Sequence, residues 1–74
     1  MIKNNIKKIL EIKKISIYRI SKDLNIRYAT IYDLVNREDL SKTRFDLIVE
    51  LSRYLDCSIE NLFEYIEYQK NEED

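Results

Sequence analysis

The stretch ISIYRISKDLNIRYATIYDLVNR, Ile15 to Arg37, leaves this chain little choice of fold. It reads as two short helices joined by a tight turn. Ser16 suits the N-cap of the first, because its hydroxyl accepts from the free amides of the next turn. Ile20 and Leu24 fall at i and i+4 on one face. Asn25 stands where that helix must stop, and Asn is second only to Gly in adopting the left-handed conformation that ends a helix. Ile26 then reads as a buried turn residue. Ile31, Leu34 and Val35 give the second helix its apolar stripe, and Ser21 is small enough to sit where the two helices pass.

The rest of the chain favours more helix. Its 74 residues include no Gly and no Pro, and apolar residues recur at helical spacing throughout. The spacing predicts a first helix over Lys3 to Lys13, with Ile2, Ile6, Ile9 and Leu10 inward. The central pair falls at Ile17 to Leu24 and Tyr28 to Asn36. A polar connection, REDLSKT, follows, and Thr43 with Asp46 has the spacing of a capping box opening a fourth helix. That helix buries Ile48, Leu51, Ser52 and Leu55. Ser58 is placed to cap a fifth helix with Ile59, Leu62, Phe63 and Ile66 as its stripe, and Glu60 favours its positive end. The expected fold is therefore all-α: one compact five-helix domain over residues 1–70, with an acidic, frayed tail over 71–74.

Composition narrows the function. A single Cys, Cys57, allows no internal disulfide and reads as a buried structural thiol in a reducing cytosol. No apolar run is long enough to span a bilayer, and no signal-peptide pattern opens the chain, so a cytoplasmic protein is expected. With no His, the commonest general base and metal ligand is missing; no glycine-rich phosphate loop is present either. Neither an enzyme nor a cofactor or metal is expected. The net charge of −1 conceals a division. Met1 to Arg44 holds eleven Lys and Arg against five Asp and Glu, whereas Phe45 to Asp74 holds two against nine. A basic half backed by an acidic half suits a protein that meets nucleic acid on one face; a dipolar protein with no such partner is the alternative.

The pattern resembles the lambda-repressor-like (Cro/Xre-type) helix-turn-helix domains from Ile2 to about Ile66. The resemblance is carried by Ile6 and Leu10, the ISIYRIS entry, the NI turn, ATIYDLVN, and LSRYLDCSIENLFEY. It implies that residues 28–36 form a recognition helix. The chain departs from the family where Ile17 replaces a phosphate-holding Gln, Asn25 a Gly, Arg27 a capping Ser, and Arg37 a Gly.

With Ile31, Leu34 and Val35 turned to the core, the opposite face presents Tyr28, Ala29, Tyr32 and Asp33, with Arg27 at the leading end. These are the candidate base contacts. Tyr28 and Tyr32 are i, i+4 neighbours whose rings suit thymine methyls; packing on the preceding helix or on a partner subunit is the alternative. Ala29 is small enough for close approach to a thymine methyl. Asp33, acceptor-only when charged, favours cytosine N4, or else pairs with Arg37 four residues on. Ser16, Ile17, Thr30 and Asn36 occupy positions that the resemblance assigns to the DNA backbone. Arg27, Arg37, Lys42 and Arg44 are the candidate phosphate-binding cations. Lys7, Lys8, Lys13 and Lys14 read as a solvated face of the first helix, and Ile17 as packing beside Ile12.

The expected function is sequence-specific binding of double-stranded DNA by a small transcriptional regulator, a repressor by preference. Ile, Lys, Asn and Tyr supply 32 of the 74 residues, and their A/T-rich codons point to a low-GC bacterium, its phages or mobile elements. The alternative is a protein-interaction or antitoxin-like module using the acidic rear helices. A homodimer through the fifth helix is expected, with Phe63 and Ile66 at its centre and Tyr68 at its rim.

Overall fold

The computed structural model describes residues 1–66. Tyr68, the end of the expected 1–70 domain and the tail at 71–74 lie outside the described residues. In chain order the elements are β1 (Ile2–Asn4), α1 (Ile6–Lys13), α2 (Ile17–Leu24), α3 (Tyr28–Asn36), α4 (Phe45–Leu55), a 3-10 turn (Ile59–Leu62) and β2 (Phe63–Tyr65). The fold is mostly helical, with four α-helices among the described residues and a small two-stranded sheet.

Two expectations are corrected here. The first helix begins at Ile6 rather than Lys3, and the fifth helix is a 3-10 turn followed by a strand. The cause is a partner that local periodicity cannot show. β1 and β2 pair antiparallel, with Ile2 opposite Tyr65, Lys3 opposite Glu64 and Asn4 opposite Phe63. The ladder continues at both ends: Ile66 N donates to Met1 O at 2.9 Å, and Asn5 N to Leu62 O at 3.0 Å. On its other side β1 meets the α3–α4 loop, where Leu40 N donates to Ile2 O at 2.8 Å and Asn4 N to Glu38 O at 3.2 Å. Backbone groups satisfied on both sides, plus the aromatic residues Phe63 and Tyr65, outweigh a helical stripe only two turns long.

The remaining helices follow their sequence. The Ser16 hydroxyl accepts from Arg19 N at 3.0 Å and opens α2. Asn25 closes α2 with φ 57°, as a left-handed residue must. Lys14 (φ 58°) closes α1 and Asp56 (φ 57°) closes α4 in the same way. A chain without Gly thus uses, among the described residues, three that bear a Cβ in the conformation that favours Gly. The expected Thr43–Asp46 capping box is absent. Arg44 is the N-cap of α4, with no side-chain cap, because the Thr43 hydroxyl is taken by Arg37 and Asp46 pairs with Arg44.

Every element contributes to one core. Ile6, Ile20, Ile31, Leu34, Leu51, Leu55 and Leu62 are its fully buried side chains. Each such residue contributes about 1.5–3 kcal/mol by burial. Leu40, inside the connection read as polar, is also buried, which holds that loop against β1. Buried Ser52 satisfies its hydroxyl on Val49 O at 2.8 Å. Ile26 and Cys57 are half-buried against the core rather than fully buried, whereas Ile12 is exposed and gives Ile17 no cover. Ile17 packs on the core edge instead.

Candidate nucleic-acid interface

The exposed face of α3 is built by subtraction. Ile31, Leu34 and Val35 are buried, so Tyr28, Ala29, Tyr32 and Asp33 must face out, and all four are exposed. Arg27, exposed at the N-cap, precedes them. The Tyr28 and Tyr32 rings stack at 6.1 Å between centroids and 28° between planes, each half exposed. They form one aromatic ledge rather than two independent side chains.

Beside this face runs a groove lined by Ala29, Thr30, Asp33, Arg37, Lys42 and Arg44. The groove therefore brings Ala29 and Asp33 of the expected base contacts together with Thr30, Arg37, Lys42 and Arg44 of the expected backbone contacts, whereas Arg27, Tyr28 and Tyr32 do not line it. The cations differ in freedom. Lys42 is exposed. Arg44 is exposed but grips Asp46, with Nη2 to Oδ2 at 2.7 Å and Nε to Oδ1 at 3.2 Å. That pair lowers the Asp46 carboxyl and raises the Arg44 guanidinium from their ordinary values. Arg37 is half-buried, with one terminal nitrogen on Asp33 and the other on Thr43 Oγ1 at 2.8 Å. The i, i+4 ion pair, weighed in the sequence against cytosine readout, is formed.

Two side chains hold the elements next to this groove in place. Asn4, from β1, sends its amide to the C-terminus of α3 and donates to the carbonyls of Leu34 (2.8 Å), Val35 (3.2 Å) and Arg37 (2.7 Å). Its oxygen accepts from Ile6 N at 2.8 Å and so starts α1. Asp39, from the loop, accepts at Oδ1 from Ser41 Oγ (2.6 Å), Ser41 N (3.0 Å) and Ile2 N (3.1 Å). Those hydrogen bonds hold its carboxyl down to about 2. Across the molecule, Asp23 accepts from the Tyr54 hydroxyl and ties α2 to α4. The tyrosine's hydrogen bond, then Arg19, lowers the Asp23 carboxyl, while Asp23 raises the Tyr54 phenol.

The other expected backbone contacts sit at a second groove, lined by Lys7, Lys14, Ser16, Ile17 and Asn36 among others. Asn36 donates from Nδ2 to Tyr32 O at 3.0 Å and remains exposed. Lys7 and Lys14, read from sequence as a merely solvated face, line this groove with Ser16. No periodic signal joined them: Lys7 lies on α1, whereas Lys14 is the left-handed residue that closes it and turns the chain toward Ser16. The expected dimer residues are separated by the corrected fold: Phe63 is half-buried against the core, Ile66 is exposed, and among the described residues no fifth helix carries them.

Among the described residues, no group of three or more His, Cys, Asp or Glu is placed to hold a metal ion. No described helix is long and apolar enough to cross a membrane. A family model described as a Cro/C1-type HTH DNA-binding domain matches residues 5–67. No curated protein and no solved structure matches the chain.

Proposed function

The chain belongs to the Cro/C1-type HTH DNA-binding domain family, and from that membership we propose that it binds double-stranded DNA selectively as a small transcriptional regulator, a repressor by occupancy. The observation that carries this is the single exposed face of α3, with Arg27, Tyr28, Ala29, Tyr32 and Asp33 together beside a groove bearing Lys42 and Arg44. An α-helix fits the major groove, where the tyrosine ledge and Ala29 meet thymine methyls and base edges. Ser16, Ile17, Thr30 and Asn36 line the duplex backbone. Lys42 and Arg44 neutralise phosphates on one side, and Lys7 and Lys14 on the other. Bound protein then denies polymerase the site. No cofactor takes part, and a cytoplasmic bacterial, phage or mobile-element setting suits the chain.

Two copies on a near-palindromic site complete the reading, with recognition helices about 34 Å apart. The surface assigned to that contact is the apolar end where Met1, Tyr65 and Ile66 are exposed beside Phe63. A second reading draws on Phe45, which is 68% exposed beside Leu24, Val49 and Tyr54 with Asp46 and Glu50 at the edge. That patch suits a protein partner, as in an antitoxin-like module.

The test is operator affinity and selection from random duplexes for Tyr28→Ala and Tyr32→Ala. Each is expected to cost roughly 1–3 kcal/mol and relax preference at one position. Unchanged affinity and preference in both overturns the assignment of α3.

A further inference from the structure

Arg37 is the cation of the groove least able to act as a phosphate-binding arm. Its amide donates to Asp33 O at 3.0 Å and its carbonyl accepts from Asn4 Nδ2 at 2.7 Å. Its guanidinium is shared between Asp33 Oδ2 and Thr43 Oγ1. Backbone and side chain are thus both fixed, and about one third of the side chain is exposed. Asp33 is different. Two thirds of its side chain is exposed on the outer face of α3, and among the described residues its Oδ1 accepts no hydrogen bond.

We propose that Arg37 is a positioning residue, not a phosphate contact, and that with Thr43 it aims the free oxygen of Asp33 at the exocyclic amine of a cytosine in the major groove. This deepens the reading of α3 as the DNA-reading helix and rests on it. A lone carboxylate on that helix is repelled by the phosphates on either side. Pairing with Arg37 makes the unit neutral, so the repulsion is largely cancelled, yet one acceptor oxygen stays open. A carboxylate accepts and never donates, so it matches the N4 amine of cytosine. Adenine also offers an amine, but its N7 acceptor lies beside it and opposes the carboxylate. Guanine and thymine place acceptor oxygens at the corresponding edge, which the carboxylate also opposes. Thr43 fixes the outer end of the guanidinium, so that the rotamer of Asp33 is set before DNA arrives. The α3–α4 loop thereby contributes to selectivity without touching a base.

The experiment is selection from random duplexes followed by titration, for the wild type, Asp33→Ala, Arg37→Met, the double variant and Thr43→Val, with far-UV circular dichroism on each. The wild type is expected to select cytosine at one position per half-site. Asp33→Ala is expected to lose that preference by about tenfold, the scale of one specific base contact. Arg37→Met is expected to lose it as well, and to change nothing further when added to Asp33→Ala, since it acts through that carboxylate. Thr43→Val, which keeps both charged groups, is expected to weaken the same preference alone. If Arg37→Met weakens all duplexes equally and lowers the salt slope by about one, Arg37 is a phosphate contact and the proposal fails. A selective wild type whose preferences survive Asp33→Ala overturns this inference and leaves the function standing. A wild type that binds no duplex overturns both. Should Arg37→Met unfold, Arg37→Lys decides: cytosine preference lost with affinity for other sequences kept supports positioning, and both retained refutes it.

Discussion

The side-chain amide of Asn4 donates to the backbone carbonyl of Arg37 at 2.7 Å, across 33 positions of sequence. The same nitrogen reaches Leu34 O and Val35 O, while the oxygen starts α1 at Ile6. One half-buried side chain therefore satisfies carbonyls that the end of α3 leaves open and joins that end to β1.

Asn4→Ala removes the donor and leaves those carbonyls unpaired in a half-buried site. A loss of about 1–3 kcal/mol is expected, read as a lower urea midpoint at constant m-value. Asn4→Asp keeps the shape but turns a carboxylate on three carbonyl oxygens. It should be the more damaging of the two at pH 7 and recover in part on acidification. Equal midpoints for Asn4→Ala and the wild type would show that the amide contributes nothing to holding α3.

Of the left-handed helix ends among the described residues, Lys14 and Asn25 should respond differently to Gly. Lys14 gains no local hydrogen bonding from its side chain to offset a positive φ, so Lys14→Gly is expected to stabilise by about 0.5–1 kcal/mol. Asn25→Gly should be neutral or slightly stabilising, because Asn already tolerates the conformation. Asn25→Ala should destabilise at the same site. Thermal melting of the three variants settles the order; a destabilising Lys14→Gly would contradict it.

Acid should loosen the β1 edge. The Asp39 carboxyl is held at about 2 by Ser41 and Ile2, below its ordinary 3.8. A depressed carboxyl gives stability that is fully present above the unfolded value and is lost as pH falls through the folded one. The loss attributable to Asp39 therefore runs from about pH 4 down to about pH 2. Melting of Asp39→Asn against the wild type over that window should show a shallower acid limb in the variant. Parallel limbs would contradict it. At the alkaline end the sign reverses: the raised Tyr54 phenol keeps its contribution below pH 10 and loses it as pH climbs through the higher folded value. Tyr54→Phe should remove that alkaline loss.

The helical centre was legible because its determinants are local. Ser16, Asn25 and the Ile31–Leu34–Val35 stripe act within a turn or two, and each stands where its sequence put it. The exposed face of α3 followed by elimination. What escaped was non-local. Nothing near Phe63 announces that its strand will pair with residues some sixty positions earlier. Leu40 was hidden in a polar run, although one Leu among charges is what a core-anchored loop needs. Asn4 was invisible because a capping amide has no periodic signature, and its partners at 34–37 lie far along the chain.

The central claim is that the α3 face meets a DNA duplex, and its most direct measurement is duplex affinity as a function of salt. Each phosphate neutralised should contribute about −0.9 to the slope of log K against log salt. A steep linear fall is expected for the wild type, and Lys42→Ala and Arg44→Ala should each flatten it by about one phosphate's worth. A wild-type slope near zero, or a steep one that neither substitution alters, would contradict docking through this face.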